Sequence, residues 1–487
     1  HLGDSGPFGK TASHCRLFAG LSATGRNPLE IDFTLKMVDA RNTALKVLIT
    51  LDRERQTLDG ILDDITPRID SLARRDRALF NALIYGVLRW RGRLDYIISH
   101  FSNTPLKKIE PGVLNILRLG LFQIIYLDRI PDSATVNTSV ELTRQIGASR
   151  AAGFVNALLR KAAANFDSVV FPTLKRDPVA FFSNAHSLPE WLARRWQLRY
   201  DSETLTALCG TMNTIPPITI RTNTLKATRR ELMRSLQDDI EHISPAPNAP
   251  DGITMNKLKR SIPDLPAFKN GWFQVQDEAA QLVSLLLNPQ PEESVLDACA
   301  GLGGKTAHLA QLMQNKGNIA AIDKDRKKLQ QLDAEMQRLG ISIVRATCHD
   351  LNLPLDTKQQ GGFDRILLDA PCSGLGVLRR NPDIKWKSSE AGLKRHAAVQ
   401  KRFLENLAPL VKPNGILVYA VCSIEPEENE DVIATFLKKH SEFVIDNSLG
   451  KLPETLHSLV EPETGFKTLP LLNHMDGFYF VRLKRIK

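Results

Sequence analysis

The chain has 487 residues, enough for two or three domains with ample cores, and a formal net charge of +10. That balance suits a polyanionic partner, although basic composition alone does not name one. Six cysteines without a C-x-x-C pair argue against zinc and against a disulfide framework, and no apolar run nears the ~20 residues of a membrane span.

Free thiols suit a reducing cytoplasm. Residues 1–36 are rich in Gly, Ser and Arg, lack helical periodicity, and are set aside as a leader or tail. Residues 38–165 read as all helix. Ala44, Val47, Leu48 and Leu51 recur at helical spacing, as do Leu79, Leu83, Ile84, Val87 and Leu88. Pro111 opens a third helix that continues through Val113, Leu114, Leu117 and Leu121. Arginines 74, 75, 77, 89, 91 and 93 cluster around Trp90. They suit either a solvated helix face or a grip on RNA phosphates.

Residues 166–270 read as a linker followed by a small α+β module. Pro172 and Pro178 punctuate the linker, Pro189–Trp196 opens a short helix, and Thr219–Thr224 alternates like a strand. Residues 271–487 form the catalytic domain. From 294 onward strands and helices alternate, which predicts a doubly wound parallel sheet.

Ser294-Val295-Leu296-Asp297 leads into Ala298-Cys299-Ala300-Gly301-Leu302-Gly303-Gly304-Lys305-Thr306: strand, glycine-rich turn, helix. A P-loop is excluded, because its first glycine falls on Cys299. The next strand ends at Asp323, where an acid suits the two hydroxyls of a ribose. The pattern fits an adenosine-type ligand whose charged part is not a triphosphate. Two later apolar runs end in Asp369-Ala370-Pro371-Cys372-Ser373-Gly374 and in Val421-Cys422-Ser423-Ile424-Glu425-Pro426. Strands of this kind deliver side chains to a crevice at their carboxyl ends, so both cysteines are expected to face one crevice. The alternative for each is a small buried hydrophobe, and Cys299 and Cys348 are given that reading. Asp325 reads as a helix cap, and Glu428 and Asn429 as helix-start residues. Lys305 either caps a strand-end network or approaches substrate.

The three motifs, with Tyr-Ala-Val-Cys-Ser-Ile-Glu-Pro-Glu-Glu-Asn at 419–429, resemble those of the RNA cytosine-5 methyltransferases. The helical region resembles the NusB-like RNA-binding domain, and the combination is similar to the Sun/Fmu type that acts on 16S ribosomal RNA. The resemblance spans roughly residues 38–487 and implies a fold class: α/β, a Rossmann-like S-adenosylmethionine-dependent methyltransferase domain behind an all-α bundle and a small α+β module. It implies S-adenosyl-L-methionine as cofactor, held by Cys299, Ala300, Gly301, Leu302, Gly303, Gly304, Lys305, Asp323, Asp350 and Asp369. It assigns Cys422 as nucleophile, Cys372 as the release cysteine, and Asp369 to both cofactor and base. Val421 departs from the family's usual threonine.

Carbon 5 of cytosine is a poor nucleophile until a thiolate adds at carbon 6. Reaching carbon 6 requires an unstacked base, which single-stranded or loop RNA supplies at low cost. Arg379, Arg380, Lys385 and Trp386, in a long basic stretch, and Arg221, in an Arg-Thr-Asn segment the family carries, are the expected RNA contacts. For the basic stretch, a solvated loop is the alternative. The expected partner is 16S ribosomal RNA, with no metal, no membrane, and a monomer as the favoured state. The alternatives are the same chemistry on transfer RNA or another ribosomal site, or a non-catalytic RNA-binding assembly factor.

Overall fold

The structure, a computed structural model, describes residues 39–54, 56–355, 362–461, 463–473 and 475–487. The leader expected at 1–36 lies outside the described residues. The helices Ala40–Arg53, Arg74–Phe101, Pro111–Tyr126, Asp132–Gln145 and Ala152–Asn165 form the bundle. Local chemistry sets their starts. Asp39 accepts a hydrogen bond from the Arg41 N–H, and Glu110 caps the helix whose first residue is Pro111. The periodic residues Leu45, Leu48, Leu83, Ile84, Leu117 and Leu121 are buried, so the predicted apolar stripe is the bundle core. No helix among the described residues is long and apolar enough to cross a membrane.

The small module is a four-stranded antiparallel sheet in the order β2-β3-β1-β4. Its strands are β1 (Ile218–Thr222), β2 (Ile240–Pro245), β3 (Gly252–Leu258) and β4 (Phe273–Val275). The sheet therefore extends past residue 270, because β4 pairs with β1. Asn223 ties the module to the catalytic domain: its amide donates to the Gly271 and Leu339 carbonyls, each at 2.8 Å.

The catalytic sheet contains β5 (Ser294–Asp297), β6 (Asn318–Asp323), β7 (Val344–Cys348), β8 (Phe363–Asp369) and β9 (Val411–Val421). These five pair in parallel, and the chain crosses from β7 to the other side of β5 to form β8. That reversal places the crevice above β5 and β8, where a doubly wound sheet receives its ligands. The sheet is mixed, however. β13 (Tyr479–Arg485) runs antiparallel between β9 and β12 (Gly465–Lys467).

From Gly415 to Val421 β9 is buried on both faces, as its apolar run predicts. Val418 and Ala420 face one core layer, while Leu417, Tyr419 and Val421 face the other. Alternation therefore sends Val421 into the core and turns Cys422 the opposite way, against the first layer.

Candidate active site

Four strand ends, those of β5, β6, β8 and β9, supply the floor of the crevice. β5 ends at Asp297, and the turn after it is shaped by glycine. Gly303 has φ +84°, and a Cβ there would lie 2.8 Å from Leu332, so only glycine fits. Gly301, at φ +55°, has open space where its side chain would be. Its N–H donates to Asp323 Oδ2 at 3.0 Å, and the Asp325 N–H donates to Asp323 Oδ1 at 2.8 Å. Asp325 caps the next helix, as expected. Asp350, just past β7, is exposed, and hydrogen bonds from the Asn352 backbone and side chain hold its carboxyl below the usual range.

Asp297 is buried, accepts from Thr306 Oγ1 at 2.7 Å, and has one carboxylate oxygen without a partner. Burial, with the neighbouring charges of Asp369 and Asp323, pushes its carboxyl up to about 7. A buried orphan oxygen beside an open glycine turn fits a ligand that carries an ammonium group. S-adenosylmethionine has one, and the Asp323 carboxylate suits its ribose.

Lys305, in the first turn of the following helix, resolves its two readings as an ion pair. Its Nζ lies 2.5 Å from Asp369 Oδ2 at the end of β8. Burial works against the charged amine, but Asp369, Cys422 and Asp297 outweigh it, and Lys305 stays protonated above its ordinary range. It carries a positive charge between Asp369 and Cys422.

The two cysteines meet. Cys372 Sγ and Cys422 Sγ lie 3.2 Å apart across the ends of β8 and β9. The hydrogen bond with Cys422, burial and the charge of Glu428 all push the Cys372 thiol up. Cys299 is half-buried in the glycine turn after β5, and burial raises its thiol well above the ordinary value. Cys348 is exposed, so the buried reading is wrong for it: it ends β7, the edge strand of the sheet.

A cleft of about 560 Å³ opens over this floor, lined among others by Asp369, Cys372, Cys422, Arg395 and His396. Thr57, from the helical region, closes one side. An adjoining hollow of about 820 Å³ shares Asp383, Lys387 and Arg395 with the cleft and reaches Arg91 and Trp386.

The basic residues expected to touch RNA are placed differently. Arg221 is fully buried and bonded to the side chains of Gln274, Gln276 and Gln311 and the Gly304 carbonyl; burial lowers it to about 9. Arg379 is buried, with Nε on Asp476 at 2.6 Å. Arg380 bonds Asp476 at 2.5 Å and Asp277 at 2.6 Å. Lys385 is buried and bonded to the Arg89 and Ser187 carbonyls and to Asn213, at 2.8, 3.1 and 3.1 Å. Trp386 donates its indole N–H to the Leu88 carbonyl at 2.7 Å. Arg221, Arg379, Arg380 and Lys385 are thus interior ties rather than phosphate contacts: their charges are spent on internal acceptors. Arg395 and His396, which sequence reading passed over, line the cleft instead. No pattern marks them, because they lie on one helix among other polar residues.

Glu428 was read as a helix-start acid, and the structure corrects this. Asn429 makes no side-chain cap to the helix Glu430–Lys439; its amide donates to the Ser423 carbonyl at 3.3 Å. The Glu428 carboxylate turns inward and accepts from four donor groups: the Ser373 N–H and hydroxyl, the Ser423 hydroxyl and the Gln400 amide. Among the described residues, no group of three or more His, Cys, Asp or Glu side chains is arranged to hold a metal.

Comparison with known proteins agrees with this geometry. Residues 284–484 match the family described as 16S rRNA methyltransferase RsmB/F, residues 38–164 the NusB family, and residues 188–260 the ferredoxin-like domain of RsmF/B-like methyltransferases. The chain is 36% identical to the probable ribosomal RNA small subunit methyltransferase B of Bacillus subtilis, over 93% of this chain and 100% of that protein. It is 33% identical to the ribosomal RNA small subunit methyltransferase B of Pseudomonas syringae pv. tomato, over 92% of this chain and 97% of the relative. Among solved structures, the crystal structure of PH0851 superposes with a TM-score of 0.76 at 25% identity, covering 91% of this chain and 99% of that one. Full-length coverage at this identity, with the domains in matching order and the paired cysteines at adjoining strand ends, places the chain in the RsmB/F family of 16S rRNA methyltransferases.

Proposed function

We propose that this S-adenosylmethionine-dependent ribosomal RNA methyltransferase transfers its methyl group to carbon 5 of a cytosine in 16S rRNA, through a covalent bond between Cys422 and the base. The observation that carries the reading is the 3.2 Å separation of Cys372 Sγ and Cys422 Sγ, beside the Lys305–Asp369 ion pair. Two thiols in one cleft match a reaction that needs one sulfur to add and a second group to release.

When bound, S-adenosylmethionine supplies an electrophilic methyl on a sulfonium. Cys422, with the Lys305 ammonium near it, is the thiol assigned to add to carbon 6 of the ring. Electrons displaced from the carbon 5–carbon 6 double bond make carbon 5 enamine-like. Asp369 is the group suited to hold the ring at N3 or the exocyclic amine, and Lys305 fixes its carboxylate. After methylation a base must take the carbon 5 proton, the freed C–H electron pair re-forms the carbon 5–carbon 6 double bond, and the carbon 6–sulfur bond breaks with its own pair returning to Cys422. Cys372, adjacent to Cys422, is assigned to that release.

Transfer of tritiated methyl from S-adenosylmethionine to unmodified small-subunit RNA tests the activity. Incorporation as 5-methylcytosine is expected; RNA binding without incorporation would instead favour an assembly factor. Cys372→Ala is expected to accumulate a protein–RNA adduct that survives denaturing electrophoresis, and Cys422→Ala to form none. The reverse pattern would exchange the two roles.

A further inference from the structure

Glu428 is fully buried, so it does not reach the cleft. It lies behind the site, where its carboxylate joins the two turns that carry the thiols. Oε1 accepts from the Ser373 N–H at 2.7 Å and from Gln400 Nε2 at 3.4 Å. Oε2 accepts from the Ser373 hydroxyl at 2.5 Å and from the Ser423 hydroxyl. Ser373 follows Cys372, and Ser423 follows Cys422. One acceptor-only group therefore grips the residue after each cysteine. The backbone of Glu428 is itself fixed, because Tyr419 Oη on β9 donates to its carbonyl at 2.6 Å. Gln400 adds a second clasp by donating to the Pro371 carbonyl at 3.0 Å.

We infer that Glu428 is a positioning residue: its buried carboxylate clamps the Pro-Cys-Ser turn after β8 to the Cys-Ser turn after β9, and so sets the spacing of the two sulfurs. The inference rests on the assignment of Cys372 and Cys422 to the reaction. The carboxylate is required rather than the shape. Four donors converge on it, and an amide of the same size turns an N–H toward them. Because each clamped serine is adjacent to its cysteine, a small slip at the clamp reaches the sulfurs undiminished. A misplacement of about 1 Å at a reacting pair costs on the order of a hundredfold in rate.

The test compares Glu428→Gln and Ser423→Ala with the wild-type chain in methyl transfer to small-subunit RNA. Glu428→Gln is expected to lower kcat by about 10- to 100-fold, with KM for RNA and for S-adenosylmethionine within about threefold, since neither ligand touches the carboxylate. Ser423→Ala removes one donor and keeps the acid, so kcat falls by about three- to tenfold at unchanged KM. That variant carries the test alone if Glu428→Gln does not fold. In the Cys372→Ala background, adding Glu428→Gln is expected to slow adduct formation by a factor similar to its loss in kcat. A kcat within about twofold of wild type for the folded variants, or a loss expressed through KM, overturns the clamp. Absence of any adduct from Cys372→Ala would overturn the cysteine assignment instead, and the clamp would still be decided by the kcat ratio.

Discussion

Cys422 and Val421 are neighbours in sequence but face opposite sides of β9, and this decides what the missing threonine means. Val421 is fully buried in the core layer that also holds Tyr419, Phe403 and Leu404, and it does not line the cleft. Val421→Thr is therefore expected to leave kcat within about twofold and to cost about 1–2 kcal/mol of stability, from a hydroxyl buried in an apolar layer. Urea unfolding and the methyl-transfer assay check the two halves separately. Asp297 gives a pH-dependent prediction. Its carboxyl has an ordinary value of 3.8 and stands at about 7 in the fold, with burial the largest cause. A raised acid binds more protons folded than unfolded, so its contribution is complete below the unfolded value and is lost as pH rises through the folded one. The stability of the wild type relative to Asp297→Asn is expected to decline between about pH 4 and pH 8; a flat difference would place Asp297 ionised throughout. At this scale the placement of the two cysteines, Asp323 and Asp369 at strand ends was legible, because apolar runs closing in turn residues mark those ends. Glu428 was not: an acid after Pro-Glu looks the same whether it caps a helix or turns inward.

The segment between Gly374 and Ser388 shows how an element misleads when its charges are read without its partners. Its length and basic residues suggest an RNA-holding loop, yet it is pinned along its length. Asp476 accepts from Arg379 and Arg380 together, and Asp383 accepts from the Leu58 N–H at 3.2 Å. Lys385 is surrounded by three oxygen acceptors, matching the three N–H groups of an ammonium, although burial lowers it to about 7. Breaking a buried pair leaves charge uncompensated, so Asp476→Asn is expected to destabilise the protein by about 3 kcal/mol, read as a lower urea midpoint at unchanged slope. The parallel strands were legible from apolar runs ending in turn residues, but their order around β5 was not. The place of the antiparallel β13 beside β9 depends on long-range pairing that no local pattern encodes.

Across the whole molecule, the net charge of +10 is divided between interior ties and exposed groups. Only the exposed groups release counterions when a strand of RNA binds. Arg395, exposed at the cleft, is expected to contribute: Arg395→Ala should reduce the slope of log affinity against log salt by about 0.7, the share of one phosphate contact on a single strand. Lys385→Met should leave that slope unchanged, because its amine faces protein oxygens. Equal effects from both would place Lys385 at the RNA surface. The domain sequence of bundle, small sheet and catalytic sheet was legible from periodicity and composition. Their mutual seating was not, since it runs through single backbone contacts such as Trp386 to Leu88.

β9 carries Cys422 at its tip, with β8 on one side and β13 on the other. During synthesis β8 is made before β9, but β13 follows only after the segment between them. For that interval the strand that carries Cys422 has a bare edge of unpaired N–H and carbonyl groups, a template for any stray strand. Assembly of the reactive pocket is thus a late event, and a nascent chain stalled before Tyr479 should be prone to self-association.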